Sequence, residues 1–348
     1  MINLRITFIT GLLLSLTLFS SCFDDQPDVG SAFSGEWSIP QDQVFDGGPG
    51  RDGIPAIDNP QFVSPDEATF LNDLELVVGY YDGTIAVAYP HEILDWHEIV
   101  NDEVNDNAFA VTYCPLTGTA IGWDRTINGT TTTFGVSGLL YNTNLMPFDR
   151  SSNSTWSQML LSSVNGELID TPAEFVPLVE TSWGTWKEMF PNTRVMSRET
   201  GFTRQYGQYP YGDYITNNDN LLFPISTDDD RLPRKERVLG VIGNGGTKAY
   251  PLESFQSGSV IIDNLFGEDL IVIGDDIKNF AAAYYLGDLA GNNFQYVNEG
   301  EVVLRDDNGN GWNIFGQAIE GPLTGQNLAP TKSYIGFWFA WGTFYPGL

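Results

Sequence analysis

Both histidines of this 348-residue chain, His91 and His97, and the cysteine Cys114 fall within 24 residues of one another. Imidazole and thiol are the side chains best suited to metal ligation, nucleophilic attack and redox work near neutral pH. Cys114 and His97 are therefore the expected catalytic pair, with the imidazole lowering the thiol pKa or sharing a metal. His91, Asp95, Glu98 and Arg125 are the candidate metal ligands or supporting partners. Copper accepts two imidazoles and one thiolate, and Met146 or Met159 would serve as a weak axial ligand, although no spacing selects either. Six residues of helix separate the histidines by about 240°, so they do not share a face as an i, i+4 metal pair does. Of the two, His97 is preferred and His91 is the more weakly attached member. The competing reading has His97 bonded to backbone and Cys114 filling a small gap.

These groups need a scaffold, and the sequence around them is mostly strand. Thr119 to Thr126, the turn Asn128-Gly129 and Thr130 to Val136 predict a β-hairpin. Glu268 to Ile273 and Glu301 to Arg305 predict further strands. A brief helix is expected to start at Pro90, with a counterpart at Pro251. Trp183, Trp186 and Phe190 at i, i+3, i+7 share one face of a short helix that Pro191 stops, and Trp338, Trp341 and Tyr345 repeat the pattern before Pro346. These aromatics, with Trp156 and Trp312, predict core anchors.

The echo extends further. Leu76-Val77-Val78-Gly79 leading to Ala88-Tyr89-Pro90 matches Arg237-Val238-Leu239-Gly240 leading to Ala249-Tyr250-Pro251, which predicts a divergent internal repeat. The expected fold is α+β and β-rich: two pseudo-equivalent repeated halves, with short helices packed on mainly antiparallel sheet. Residues 65–200 form the first unit, 201–236 a connector and 237–348 the second. Aligned on the shared markers, His91, His97 and Cys114 face Leu252, Gly258 and Gly274, so only one unit carries the reactive groups.

The N-terminus reads as a leader. Arg5, the apolar run Ile6 to Phe19 and Phe19-Ser20-Ser21-Cys22 form a signal peptide over residues 1–21 with a lipobox-like end. Lipidation at Cys22 would anchor the chain to a bacterial envelope membrane, most simply the outer one, with an envelope protein as a further partner. The Gly-, Pro- and Asp-rich residues 22–64 read as a tether with irregular structure. With Cys22 acylated, Cys114 has no disulfide partner. A net charge of −29 repels phosphate backbones and excludes a nucleic-acid binder.

Other motifs point to structure. Asp306, Asn308 and Asn310 match the start of a calcium loop, but position twelve is Gln317, which favours a turn. Gly243-Asn244-Gly245-Gly246 lacks the lysine and serine of a P-loop and reads as a hairpin turn. Asp124-Arg125 would form a salt bridge or hold a thiolate charged.

The runs Trp96-His97-Glu98-Ile99-Val100-Asn101-Asp102, Val111-Thr112-Tyr113-Cys114-Pro115-Leu116 and Phe134 to Asn142 resemble a bacterial family catalogued as domain of unknown function 3179. Trp156-Ser157-Gln158, Arg231-Leu232-Pro233 and Phe337-Trp338-Phe339-Ala340-Trp341 carry the same resemblance, which spans residues 65–348. Many members carry Cys-Pro-Leu-Cys, some with selenocysteine in the second place, which implies redox chemistry. Here Thr117 follows Leu116, so a dithiol cycle within the motif is excluded. Two functions follow as expectations: a lipid-anchored protein with a Cys/His thiolate or metal centre for redox work, or a non-catalytic surface lipoprotein that binds a partner or ligand.

Overall fold

Short runs rich in valine and isoleucine, broken by two-residue turns, fold back on themselves as antiparallel strands. Ile99–Val104, Asn107–Cys114 and Thr119–Asp124 form one meander, edged by Phe175–Val176. Its first turn places Asn105 and Asp106 at φ 48° and 63°, the left-handed conformation that hairpin turns require and that these two residue types tolerate. Ser259–Leu265, Glu268–Asp275 and Phe280–Tyr285 form a second meander. The computed structural model describes residues 35–348, which make one compact, β-rich unit of mostly antiparallel sheets with three short α-helices.

Two expectations about local structure change. The hairpin predicted around Asn128-Gly129 is a two-residue ladder, Thr126–Ile127 on Thr130–Thr131. Phe134–Tyr141 leaves it to pair with Asn144–Asp149, because Phe134, Val136 and Leu139 find burial there. Residues 35–64, read as tether, are woven into the body. Val44–Asp46 pairs with Leu139–Tyr141, Ile57 bridges Val100, and Phe62–Val63 pairs with Val195–Met196. Cys22, where acylation is expected, lies outside the described residues.

The helices form where expected. His91–His97 follows Pro90, which is the N-cap and not a first-turn residue; the counterpart after Pro251 is only the 3-10 turn Leu252–Ser254. Trp183–Met189 and Trp338–Phe344 stop short of Pro191 and Pro346. Trp183, Trp186, Trp338, Trp341, Trp156 and Trp312 are all buried. Gly79 and Gly240 let these helices settle on their strands. A Cβ at either position would stand 2.1 Å from a ring atom of Trp186 or Trp341 respectively.

Candidate functional site

The helix His91–His97 divides its two histidines between opposite environments. His97 is fully buried. Its Nδ1 lies 2.8 Å from the Pro55 carbonyl and its Nε2 2.7 Å from the Tyr206 hydroxyl. A carbonyl only accepts, so Nδ1 carries the proton and the Tyr206 O–H donates to Nε2. Burial lowers the His97 pKa, which suits this neutral tautomer. Both ring nitrogens are thus used to fasten the N-terminal segment and the 201–236 connector onto the helix.

Cys114 ends its strand inside the molecule. Leu145 N donates to Sγ at 3.4 Å, and Sγ faces the Thr143 carbonyl at 3.8 Å. Burial, and then the nearby Glu98 carboxyl, push the thiol up to about 11, the opposite of what a working thiolate needs. Thr117, three residues after Cys114, belongs to a buried polar network. Asn144 Nδ2 donates to Thr117 Oγ1 at 2.9 Å and to Gln158 Oε1 at 2.7 Å, while Gln158 Nε2 donates to the Thr112 carbonyl at 2.9 Å. The connector closes over the motif: Tyr209 and Tyr214 donate to the Pro115 and Leu116 carbonyls at 3.2 and 2.8 Å.

The other expected members also disperse. Arg125 donates to the Thr132 and Asp102 carbonyls at 3.0 and 3.1 Å, stitching strands together. Asp124 accepts from Thr126 N at 2.6 Å. Glu98 is buried beyond the helix end at φ 58°, and burial followed by Asp95 pushes its carboxyl up to about 8. Among the described residues no group of three or more His, Cys, Asp or Glu side chains could hold a metal ion, so the His/His/Cys copper set is not assembled. The Asp306-x-Asn308-x-Asn310 stretch, where the sequence favours a turn over a calcium loop, does turn here. Asp306 accepts from Asn308 N, from Asn310 N and Nδ2, and from Trp312 Nε1, so its oxygens close their own turn.

His91 instead lines a cavity of about 340 Å³. The i, i+4 spacing puts Asp95 on the same helix face, and both side chains line this space with Glu180, Lys235 and Arg237. His91 Nε2 comes within 3.2 Å of Glu180 Oε2, although not in hydrogen-bond alignment, and its ring packs 4.6 Å from that of Tyr113. Arg237 donates to the other Glu180 oxygen and to Asn279 Oδ1. Burial dominates every titration here. It pushes Asp95 up to about 7, and pulls His91 down to about 4, Lys235 to about 7 and Arg237 to about 10. A carboxyl and an imidazole in reversed order can exchange a proton with a bound molecule near neutral pH.

Glu180, Lys235 and Arg237 were not singled out as site residues from sequence. One signal was available: Arg234-Lys235-Glu236-Arg237 is a basic cluster in a chain with only 16 lysines and arginines. No curated protein and no solved structure matches the chain. The match that exists begins within the segment read as tether, consistent with that segment being built into the fold. A family model spans residues 51–348, and the chain belongs to the family it describes, protein of unknown function DUF3179.

Proposed function

We propose that this protein is a lipid-anchored envelope lipoprotein whose body binds a small ligand in the His91 cavity, with Cys114 and His97 in structural roles. The observation that carries this reading is the convergence of Asp95, His91, Glu180, Lys235 and Arg237 on one cavity. Concave, largely apolar sites with a few buried polar groups of displaced pKa are where ligands bind. Asp95 and His91 would act as proton donor and acceptor toward the bound molecule. The thiolate or copper redox reading is the weaker one on this geometry, because the thiol is buried and turned toward backbone.

The same reading takes residues 65–200 and 237–348 as diverged copies of one unit. Matched glycine–tryptophan contacts at Gly79–Trp186 and Gly240–Trp341 support it. So do matched aspartates that accept from tryptophan, Asp149 from Trp156 and Asp306 from Trp312. On this view the cavity lies where the copies meet, with the helix of one facing Arg237 of the other.

One sample tests the proposal. With only two histidines, the imidazole NMR signals of His91 and His97 are separable by substituting either one. Titration with a library of small molecules is expected to move the His91 signal and leave His97 in place, while iodoacetamide leaves native Cys114 unlabelled. Prompt labelling of native Cys114, with a half-reaction pH below about 8.5, would return the argument to redox chemistry.

A further inference from the structure

Three buried polar atoms around the cavity make no aligned hydrogen bond among the described residues: Lys235 Nζ, and the facing pair His91 Nε2 and Glu180 Oε2, which stand 3.2 Å apart. A buried polar group left without an aligned hydrogen bond costs roughly 1–3 kcal/mol, so the lone ammonium and the misaligned imidazole–carboxylate pair on one cavity point to a ligand that completes them. Their chemistry limits that ligand. A carboxylate such as Glu180 only accepts, and an ammonium such as that of Lys235 only donates. The ligand must therefore donate at one end and accept at the other.

Charge narrows the class further. Arg237 is paired with Glu180, and Asp95 carries little charge while it holds its proton. Of the other lining carboxylates, Glu92 is held by Arg198 and Glu75 accepts from Asn72 N, so Lys235 is the lining cation without a carboxylate partner among the described residues. Its Nζ sits 3.0 Å from the ring centre of Tyr214, with the rings of Phe339 and Phe337 at 5.0 and 5.4 Å. Aromatic faces favour the ammonium form, against the burial that pulls it down. The flexible lysine stem lets the head turn toward a ligand. Tyr113, Tyr209, Ile215 and Phe337 provide the apolar walls.

We infer that the cavity takes a small monocarboxylate bearing a hydroxyl on an aromatic or apolar frame, its carboxylate on Lys235 Nζ and its hydroxyl donating to Glu180 Oε2 beside His91 Nε2. This rests on the reading of the cavity as a ligand site. Four probes titrated into the full chain, followed by calorimetry and by the His91 NMR signal, test it: 4-hydroxyphenylacetate, its neutral amide, tyramine and phenylacetate. The hydroxy-carboxylate is expected to bind roughly tenfold or more tighter than the amide, as a charge-assisted hydrogen bond requires. Phenylacetate, without the hydroxyl, and tyramine, with the wrong charge, bind more weakly. Lys235→Met erases the preference for carboxylate over amide, and Lys235→Arg keeps it. Thermal unfolding checks that the variants are folded; if Lys235→Met is not, the four-probe ranking on the unsubstituted chain decides. Equal or tighter binding of the amide or of tyramine, or a preference that survives in a folded Lys235→Met, overturns the inferred class and leaves the ligand site standing. If no probe moves the His91 signal, the inferred class falls, and the library titration decides whether the ligand-site reading falls with it.

Discussion

Asp95 and His91 lie one helical turn apart and their burial pulls in opposite directions, which makes stability depend on pH in a recognisable way. Asp95 goes from an ordinary 3.8 to about 7 on folding. Between those values the folded chain holds a proton that the unfolded chain has released, so this residue lowers stability as pH rises through that window. His91 goes from 6.5 to about 4. Between pH 4 and 6.5 the unfolded chain holds the extra proton, so His91 makes stability rise with pH and lowers it as pH falls. The two oppose each other below 6.5; above it Asp95 continues toward 7, and Glu98, raised from 4.5 to about 8, acts in the same direction toward 8. Asp95→Asn should therefore reduce the loss of stability up to about pH 7, keep the part that Glu98 contributes up to about 8, and leave the variant about 1–2 kcal/mol more stable than the parent at pH 8. Urea unfolding at several pH values measures this, and an unchanged slope would mean that Asp95 is charged in the fold. Sequence could place both residues on one helix but not tell which histidine faces a cavity. His97 was preferred because it stands within the stronger motif, and that motif surrounds a residue whose two ring nitrogens bind Pro55 and Tyr206. Both partners are remote in sequence and invisible to local spacing.

At the scale of elements, the strands and helices were legible where periodicity and turn chemistry agree. Asn244-Gly245 does join two paired strands, Arg237–Gly243 and Gly246–Pro251. Trp183 and Trp186 do face the core. The pattern failed where a segment changes sheets, as at Phe134, because alternation says which face is apolar and not which neighbour covers it. It failed also for residues 35–64, whose short strands pair with partners 93 to 134 residues away. The sequence repeats a glycine, Gly79 and Gly240, in both strands, and periodicity alone gives no reason for it. Packing now supplies it, and Gly79→Ala should destabilise the protein by about 3 kcal/mol through overpacking against Trp186. A loss below about 1 kcal/mol in urea unfolding would show that the ring can yield.

The molecule as a whole is held together across the cavity. Besides the Glu180–Arg237 pair, Thr181 Oγ1 donates to the Lys278 carbonyl at 2.7 Å, and Phe337 N donates to the Thr117 carbonyl at 2.8 Å. None of these pairings could be read from the sequence, since each joins residues from opposite sides of the connector. At this scale the anchoring proposal makes its own prediction. Cys22→Ser should abolish incorporation of radiolabelled palmitate and release the body from the membrane fraction, and an unlabelled parent chain would refute lipidation. The strand Arg237–Gly243 pairs on one side with its hairpin neighbour and on the other with Lys332–Phe337, after the whole Ser259–Leu265 meander has intervened. Such distant closure is entropically slow. Phe337, at the end of the late strand, also lines the cavity. The proposed ligand site should therefore be the last part of a refolding chain to close, with the His91 NMR signal reaching its native position only after the far-UV signal of the sheet has recovered.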